Sequence, residues 1–394
     1  MPWKETCVMN EKRKFILDWL CGDWTMLALC EHFGISRKTG YKILGRFKVE
    51  GLLGLEARSK APVRHPNETA EEIQLAVLAQ RRKHPYWGPR KLRRRLQDLY
   101  PKVAWPAAST IGTLLKHKGL SRPRRRSRRV SIYSGPFDLG LEPNDVWGAD
   151  FKGWFRTGDG LRIDPFTVSD LASRYLLLCR AVKRPDGENV QDHLTGLFRE
   201  FGLPQALRTD NGSPFASLGA GGLSKLSIWL IKLGIRPERI RPGHPEENGI
   251  HERMHKTLKQ ETANPPKANE SSQQRAFDRF VAEYNDERPH EGLEMKTPTQ
   301  IYRTSERDFP SRLRELEYRS PMSVRRVSSN GTFKWRRKCV FIGNALVGET
   351  IGIMEEESGT CRAYFGQIYL GEFDQNEAGS TSVTGSRVLP MCPV

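Results

Sequence analysis

No stretch of about 18 apolar residues, the least that a bilayer-spanning helix needs, occurs in this chain. Its beginning, MPWKETCVMNEKRK, also lacks the apolar centre of a secretory signal. The two absences predict a soluble, cytoplasmic protein with no membrane partner. Cysteine is sparse as well: seven residues (7, 21, 30, 179, 339, 361 and 392) are scattered over 394 positions, and none forms a Cys-x-x-Cys pair. That excludes a disulfide-stapled scaffold, and no Cys and His group has the spacing of a structural zinc site. Acidic residues are scarce in one place only. Up to residue 130 the chain holds 29 Lys and Arg against 11 Asp and Glu, while the rest holds 35 of each, so the net charge of +18 comes from the first third. Such a segment addresses phosphates. A solvated face or tail is the competing reading of any block of like charge, but here apolar residues recur between the charges.

The length allows several domains, each with its own core. Within residues 1–66, TMLALCEHFGISRKTGYKILGRFK predicts a short helix ending near Phe33, a tight turn at Gly34, and a second helix capped by Ser36 that carries Arg37, Lys38, Thr39, Lys42 and Arg46. This is the pattern of a helix-turn-helix that reads the major groove, with a plain helical hairpin as the alternative. Residues 67–120 predict a second helical DNA-binding module. Its GPRKLRRRLQDLY puts Leu92, Leu96 and Leu99 on one face with Arg90 and Lys91 among the surrounding cations, and Ser109 is placed to cap a last helix. Residues 121–140 open with SRPRRRSRR, read as an arm whose Arg124, Arg125 and Arg126 lie along a DNA backbone or in a minor groove; a solvated linker is the other reading.

From 141 to 305 the pattern turns to strands alternating with helices. DVWGADFKGWF, FTVSD and RYLLLCRAV predict an antiparallel meander, followed by an amphipathic helix with Val190, Leu194, Leu197 and Phe198 on one face, a short strand QALRT, and further helices. That describes a mixed α/β core of the ribonuclease-H kind. Residues 306–375 predict a small β-barrel, with a hairpin at Asn330 and Gly331, and residues 376–394 a disordered tail. The fold class is thus multidomain: all-α modules first, an α/β core in the middle, a small barrel last.

Three carboxylates carry the chemistry. Asp150 sits mid-strand between Ala149 and Phe151, where an unpaired charge is costly unless it meets a cation or partner. Asp210 ends a later strand, at the carboxyl edge where α/β sheets place ligands. Glu252 begins a helix that bears His255, Lys256 and Lys259, three groups expected to face DNA. Carboxylates from three separate elements suit two divalent cations, Mg²⁺ or Mn²⁺, acting on phosphodiesters. Glu247, just before Asn248 and Gly249, is the competing third ligand.

ADFKGWF, TDNGSPF, GHPEENGIHERMHKTLK and YNDERPHEGLEMKTP, in this order, resemble the integrase core of insertion-sequence transposases related to retroviral integrases. The resemblance is strong over about 140–305. It implies a metal-binding Asp, Asp and Glu at Asp150, Asp210 and Glu252, cleavage at the ends of a mobile element, transfer of 3′ ends to target DNA, and a homo-oligomer bridging two ends in a bacterial cytoplasm. A DNA-binding regulator without catalysis and a nuclease that only cuts are the competing functions. Two departures stand out. The gap between Asp210 and Glu252 holds 41 residues, more than is usual in the family, and the Gly-rich SLGAGGLSK is read as a lengthened surface loop. The Cys and His zinc module of retroviral integrases is missing from the first third.

Overall fold

The computed structural model describes residues 7–57, 68–121, 142–217, 220–241, 245–374 and 381–384. The chain divides into two compact units, Met1–Glu68 and Thr69–Val394. Arg124, Arg125 and Arg126 lie outside the described residues, as does most of the tail. Among the described residues no helix is long and apolar enough to cross a membrane, and the six described cysteines are free thiols.

The first unit is a three-helix module: α1 (Val8–Cys21), α2 (Met26–His32) and α3 (Arg37–Glu50). Phe15, Ile16, Leu29, Cys30, Leu44 and Leu55 form its core. The expected cap is present, for Ser36 Oγ accepts the Thr39 N–H at 3.3 Å; Thr25, which was not expected, caps α2 in the same way. Gly34 takes a φ of +62° between the two helices, a value that suits glycine. Gly40 lets α3 sit tightly on α2, because a Cβ there would lie 2.5 Å from Cys30 Sγ.

The second unit opens with α4 (Glu71–Lys83), α5 (Pro89–Leu99) and α6 (Ala108–His117). Val77, Trp87, Leu92, Leu96, Trp105, Ile111 and Leu115 fill their core. Two expectations fail in detail. Leu99 stays 40% exposed, since α5 ends there and its last residue turns off the apolar stripe. Ser109 lies inside α6 rather than ahead of it, and Ala107 takes the cap position without a side-chain bond.

The central sheet uses β1 (Val146–Phe151), β2 (Phe155–Arg156), β3 (Arg162–Asp170), β4 (Leu176–Val182), β5 (Ala206–Thr209) and β6 (Arg236–Arg239). The antiparallel meander is as expected, β1 with β3 and β3 with β4; β5 and β6 then add parallel strands beyond β1. Alternation along β1 sorts the layers. Trp147 and Ala149 join the core under α7 (Gly187–Phe201) and α8 (Lys225–Lys232). The opposite face meets α9 (Gly249–Thr262) and α10 (Glu270–Ala282), where Met254, Leu258, Phe277 and Phe280 pack on Ile163, Leu176 and Cys179. Gly148 and Asp150 point that way.

The last part holds β7 (Ser323–Arg326), β8 (Thr332–Trp335), β9 (Lys338–Phe341), β10 (Thr350–Glu355), β11 (Thr360–Phe365) and β12 (Ile368–Asp374), with β13 (Thr381–Ser382). Its described strands form a four-stranded and a three-stranded sheet on a shared core that includes Phe333, Val340, Ile351 and Phe365, a strand-rich module where a small barrel was expected. The Asn330-Gly331 turn forms, with Gly331 at a φ of +74°, but its flanking strands do not make the expected hairpin: β7 pairs with β10, and β8 with β9. A turn signal is local, whereas the partner of each strand is set by which apolar face it must bury. Within the tail expected to be disordered, β13 pairs with β9. The Gly-rich stretch also departs from expectation, since Gly221, Gly222 and Leu223 are buried. Leu223 enters the core of the C-terminal sheets, and a Cβ on Gly221 would lie 3.0 Å from Leu370. The stretch packs against the C-terminal sheets instead of standing free as a surface loop.

Candidate active site

Because β1 and β5 run parallel as neighbours, Asp150 near the end of one and Asp210 just past the other arrive at the same edge of the sheet. The Asp150 side chain is 17% exposed. Asn248, on the 3-10 turn Pro245–Asn248 that leads into α9, donates from Nδ2 to Asp150 Oδ2 at 3.0 Å. Burial first, and then the charge of Asp210, pushes the Asp150 carboxyl up to about 7. Asp210 Oδ1 accepts the Gly212 N–H at 3.0 Å, which closes the Asn-Gly turn. Glu252 stands exposed in the first turn of α9. Asp150, Lys152, Glu252, His255, Lys256 and Lys259 line one cleft of about 590 Å³, with Phe151, Gln260 and Asn264 completing it. Asp210 is not on that lining and reaches the site through its charge on Asp150.

The floor of the cleft is a polar layer that sequence reading did not find. Thr167 lies opposite Asp150 on β3, and Ser169 opposite Gly148, so all four share the face turned to α9. There Thr167 Oγ1 donates to the Asp150 carbonyl at 3.1 Å and lies 2.7 Å from both His251 Nε2 and His255 Nε2. Ser169 Oγ is 3.0 Å from His251 Nδ1. Gly148 makes room for this layer, because a Cβ there would come within 3.1 Å of His251 Nδ1. Burial lowers the pKa of His251 to about 3 and, helped by His251 and Lys152, that of His255 to about 2. The one available signal was the pair of histidines four apart in GIHERMHK, which share a helix face.

Several expected contacts are found elsewhere. His255 is 5% exposed and bonded within the floor, so it is a wall of the cleft and not a free DNA-facing group; Lys256 and Lys259 are exposed. Glu247, the competing ligand, is buried and engaged by Arg241, whose backbone N–H reaches Oε2 at 2.7 Å and whose Nε reaches Oε1 at 2.5 Å. In the first unit Arg37, Lys38, Thr39 and Lys42 are exposed and Arg46 is half-buried. On α5, Arg90 is exposed and 3.9 Å from Glu291 Oε2. Lys91 turns inward, where burial, Arg288 and other nearby cations pull its pKa down to about 7 against the pull of Glu291 and Glu261. Beside it the core presents an acidic edge: a π-helical turn, Glu283–Glu287, presents Glu283 to His84 Nδ1 at 2.6 Å and Glu287 to Lys83 at 2.9 Å and Arg95 at 3.2 Å.

In donor chemistry the cleft suits a hard divalent cation. Asp150 and Asp210 repel each other, Asp150 is also buried, and both penalties are what a bound cation offsets. Asp150, Asp210 and Glu252 are the oxygen donors to hand; Asp150, His251 and His255 form a second grouping, with donor atoms within 4.8 Å of one another.

Comparison with known proteins agrees with this architecture. Models of the integrase core domain match residues 140–245 and 233–298, and a homeodomain-like domain matches 39–115. An uncharacterized protein of insertion element IS476 from Xanthomonas euvesicatoria is 27% identical over 283 residues, 71% of this chain and 76% of its own length. The transposase for insertion sequence element IS904 from Lactococcus lactis is 27% identical over 191 residues, 48% of this chain and 72% of its own length. Among solved structures, the HTLV-2 integrase catalytic core domain in complex with magnesium is similar over 42% of this chain and 99% of its own, at 18% identity and a TM-score of 0.33.

Proposed function

The chain belongs to the integrase superfamily, on the side of the insertion-sequence transposases, and from that premise we propose that it is a metal-dependent polynucleotidyl transferase that cuts at the ends of a mobile element and joins the 3′ ends to target DNA. The observation that carries the proposal is the cleft lined by both Asp150 and Glu252, with the Asp210 charge acting on Asp150. Asp150, Asp210 and Glu252 are read as the residues that hold two Mg²⁺ or Mn²⁺ ions. Such ions supply Lewis acidity at the attacking and leaving oxygens.

The protein's own residues do the rest. Asn248 holds the Asp150 carboxylate and the Thr167 hydroxyl holds its backbone carbonyl, so that the carboxylate stands at the cleft without reorganisation. Lys152, Lys256 and Lys259 on the cleft wall are placed to neutralise the phosphates beside the scissile one. Water as nucleophile would nick the end, and the freed 3′-hydroxyl would then attack target DNA. Helix α3 is read as the element that recognises the end, through Arg37, Lys38, Thr39 and Lys42 in the major groove, with Arg46 behind them; Arg124, Arg125 and Arg126 are read as backbone contacts. Work of this kind on two ends calls for a homo-oligomer on double-stranded DNA, in the cytoplasm.

Supercoiled plasmid, a labelled element end and Mg²⁺ test the reading. Joined product is expected from the wild type, and Asp150→Asn, Asp210→Asn and Glu252→Gln should each abolish it while end binding persists. Nicks without joining would mark a nuclease, and a shifted but intact end a DNA-binding regulator. Glu247→Gln should keep substantial activity, because its carboxylate is already spent on Arg241.

A further inference from the structure

Three polar groups share one hydroxyl beneath the cleft. Thr167 Oγ1 is bonded to the Asp150 carbonyl oxygen, to His251 Nε2 and to His255 Nε2. A carbonyl can only accept, so the single proton of Thr167 goes to Asp150, and both lone pairs of Oγ1 are left to accept. Each imidazole therefore donates through Nε2. For His251 the other nitrogen is accounted for, since Nδ1 accepts the Ser169 hydroxyl at 3.0 Å. His255 differs. Its Nδ1 carries a lone pair and faces Asp150 Oδ2 at 3.8 Å, an oxygen that already accepts from Asn248. An imidazole nitrogen and a carboxylate oxygen thus face each other on the lining of a cleft, in a group of Asp150, His251 and His255 whose donor atoms lie within 4.8 Å of one another.

We propose that His255 Nδ1 is a metal ligand beside Asp150, so that this active site holds its cation through one nitrogen in addition to carboxylate oxygens. The proposal rests on the reading of Asp150 as a metal ligand given above. Thr167, His251 and Ser169 act behind it by keeping the proton on Nε2, the role that partners of a ligating imidazole usually play. The consequence is a bias among metals. Imidazole adds little for Mg²⁺ and progressively more along Mn²⁺ and Co²⁺.

The test uses the full chain without DNA and Mn²⁺ alone as the probe. Pulsed EPR of the bound ion should show the ¹⁴N coupling of a directly bonded imidazole, and His255→Gln should remove it. The same substitution should weaken Co²⁺ binding by about tenfold or more, while Mg²⁺ affinity, read by competition with Mn²⁺, changes by less than about twofold. Bound Mn²⁺ without nitrogen coupling in the wild type overturns the proposal and leaves the carboxylate reading standing. Coupling that persists in His255→Gln assigns the nitrogen elsewhere and overturns it too. Mn²⁺ affinity untouched by Asp150→Asn removes the carboxylate reading, and the proposal falls with it. The wild-type spectrum decides first, so a variant that fails to fold does not leave the question open.

Discussion

Helix α3 exposes Arg37, Lys38, Thr39 and Lys42, whereas α5, at least as basic in sequence, turns Lys91 and Arg95 toward the acidic edge formed by Glu283, Glu287 and Glu291. The neighbouring α4 and its end add Lys83 and His84 to the same seam, and Trp87 stacks on His84 at 3.8 Å. Arg288 closes the seam from the core side, 2.9 Å from Glu261 and over the Trp87 ring. Of two basic helices, one keeps its cations exposed and the other directs several of them to acids of the chain itself. Excess positive charge in a sequence therefore counts cations without saying which acid they meet.

Reversal at the centre of the seam should have the largest effect. Glu287→Arg places a cation among Lys83, His84 and Arg95, and the cost should be about 3 kcal/mol, the low end for breaking a buried pair because the Glu287 side chain keeps 29% exposure. Hydrogen exchange of the α4 and α5 amides should rise sharply, while Lys42→Glu on α3 leaves exchange in its own unit near wild type. Unchanged exchange in Glu287→Arg would mean that apolar packing holds the seam and the charges only decorate it.

DNA binding draws the contrast from the other side. Alanine at Lys38 or Lys42 should cost about 1–3 kcal/mol on the cognate end and much less on random DNA. Arg95→Ala should leave end binding alone. Equal losses for Arg95 and Lys38 in a fluorescence anisotropy titration would erase the distinction between the two helices.

Acid separates two carboxylates in the same manner. Burial raises Glu287, but Lys83, Arg95 and His84 outweigh it and leave its pKa below the usual value; Asp150 is raised to about 7 by burial and Asp210. The signs are opposite. The seam contributes stability above the ordinary carboxylate pKa and loses it as pH falls through the lowered one. Asp150 favours the fold at low pH and costs stability as pH rises through about 7. Without divalent metal, the melting temperature of the wild type measured against that of Asp150→Asn should therefore fall by a few degrees between pH 5 and 8, while the buried His251 and His255, whose pKa values are lowered, push stability the other way in both proteins as pH rises. An identical pH profile in both proteins would show that Asp150 does not titrate in this window. At the rim the effect should be smallest: Arg90→Ala, at a largely exposed pair 3.9 Å apart, should change stability by less than about 0.5 kcal/mol in a urea titration.

Much of the fold was legible because it depends on local periodicity and caps. Ser36 ahead of α3, the meander through β3 and β4, and the apolar face of α7 each write their structure into neighbouring residues. The C-terminal hairpin was not legible, since β7 and β8 flank their own turn yet β7 pairs with β10, further along the chain, and β8 with the next strand, β9. Nor was the polar floor beneath Asp150. Thr167, Ser169 and His251 look like ordinary strand and helix residues until β1, β3 and α9 are brought onto one face.

The sequence by itself determined most helices and the central strands, and it offered the three carboxylates as a candidate site and the basic first third as a candidate address for DNA, because side-chain type and spacing along a helix or strand are properties of neighbours. Only the tertiary structure decided that Glu247 belongs to Arg241, that α5 faces the core, and that His255 stands beside Asp150 with a lone pair to give. Those outcomes depend on which distant groups share a hydrogen bond or a desolvated contact, and such energies exist only once the chain has closed on itself.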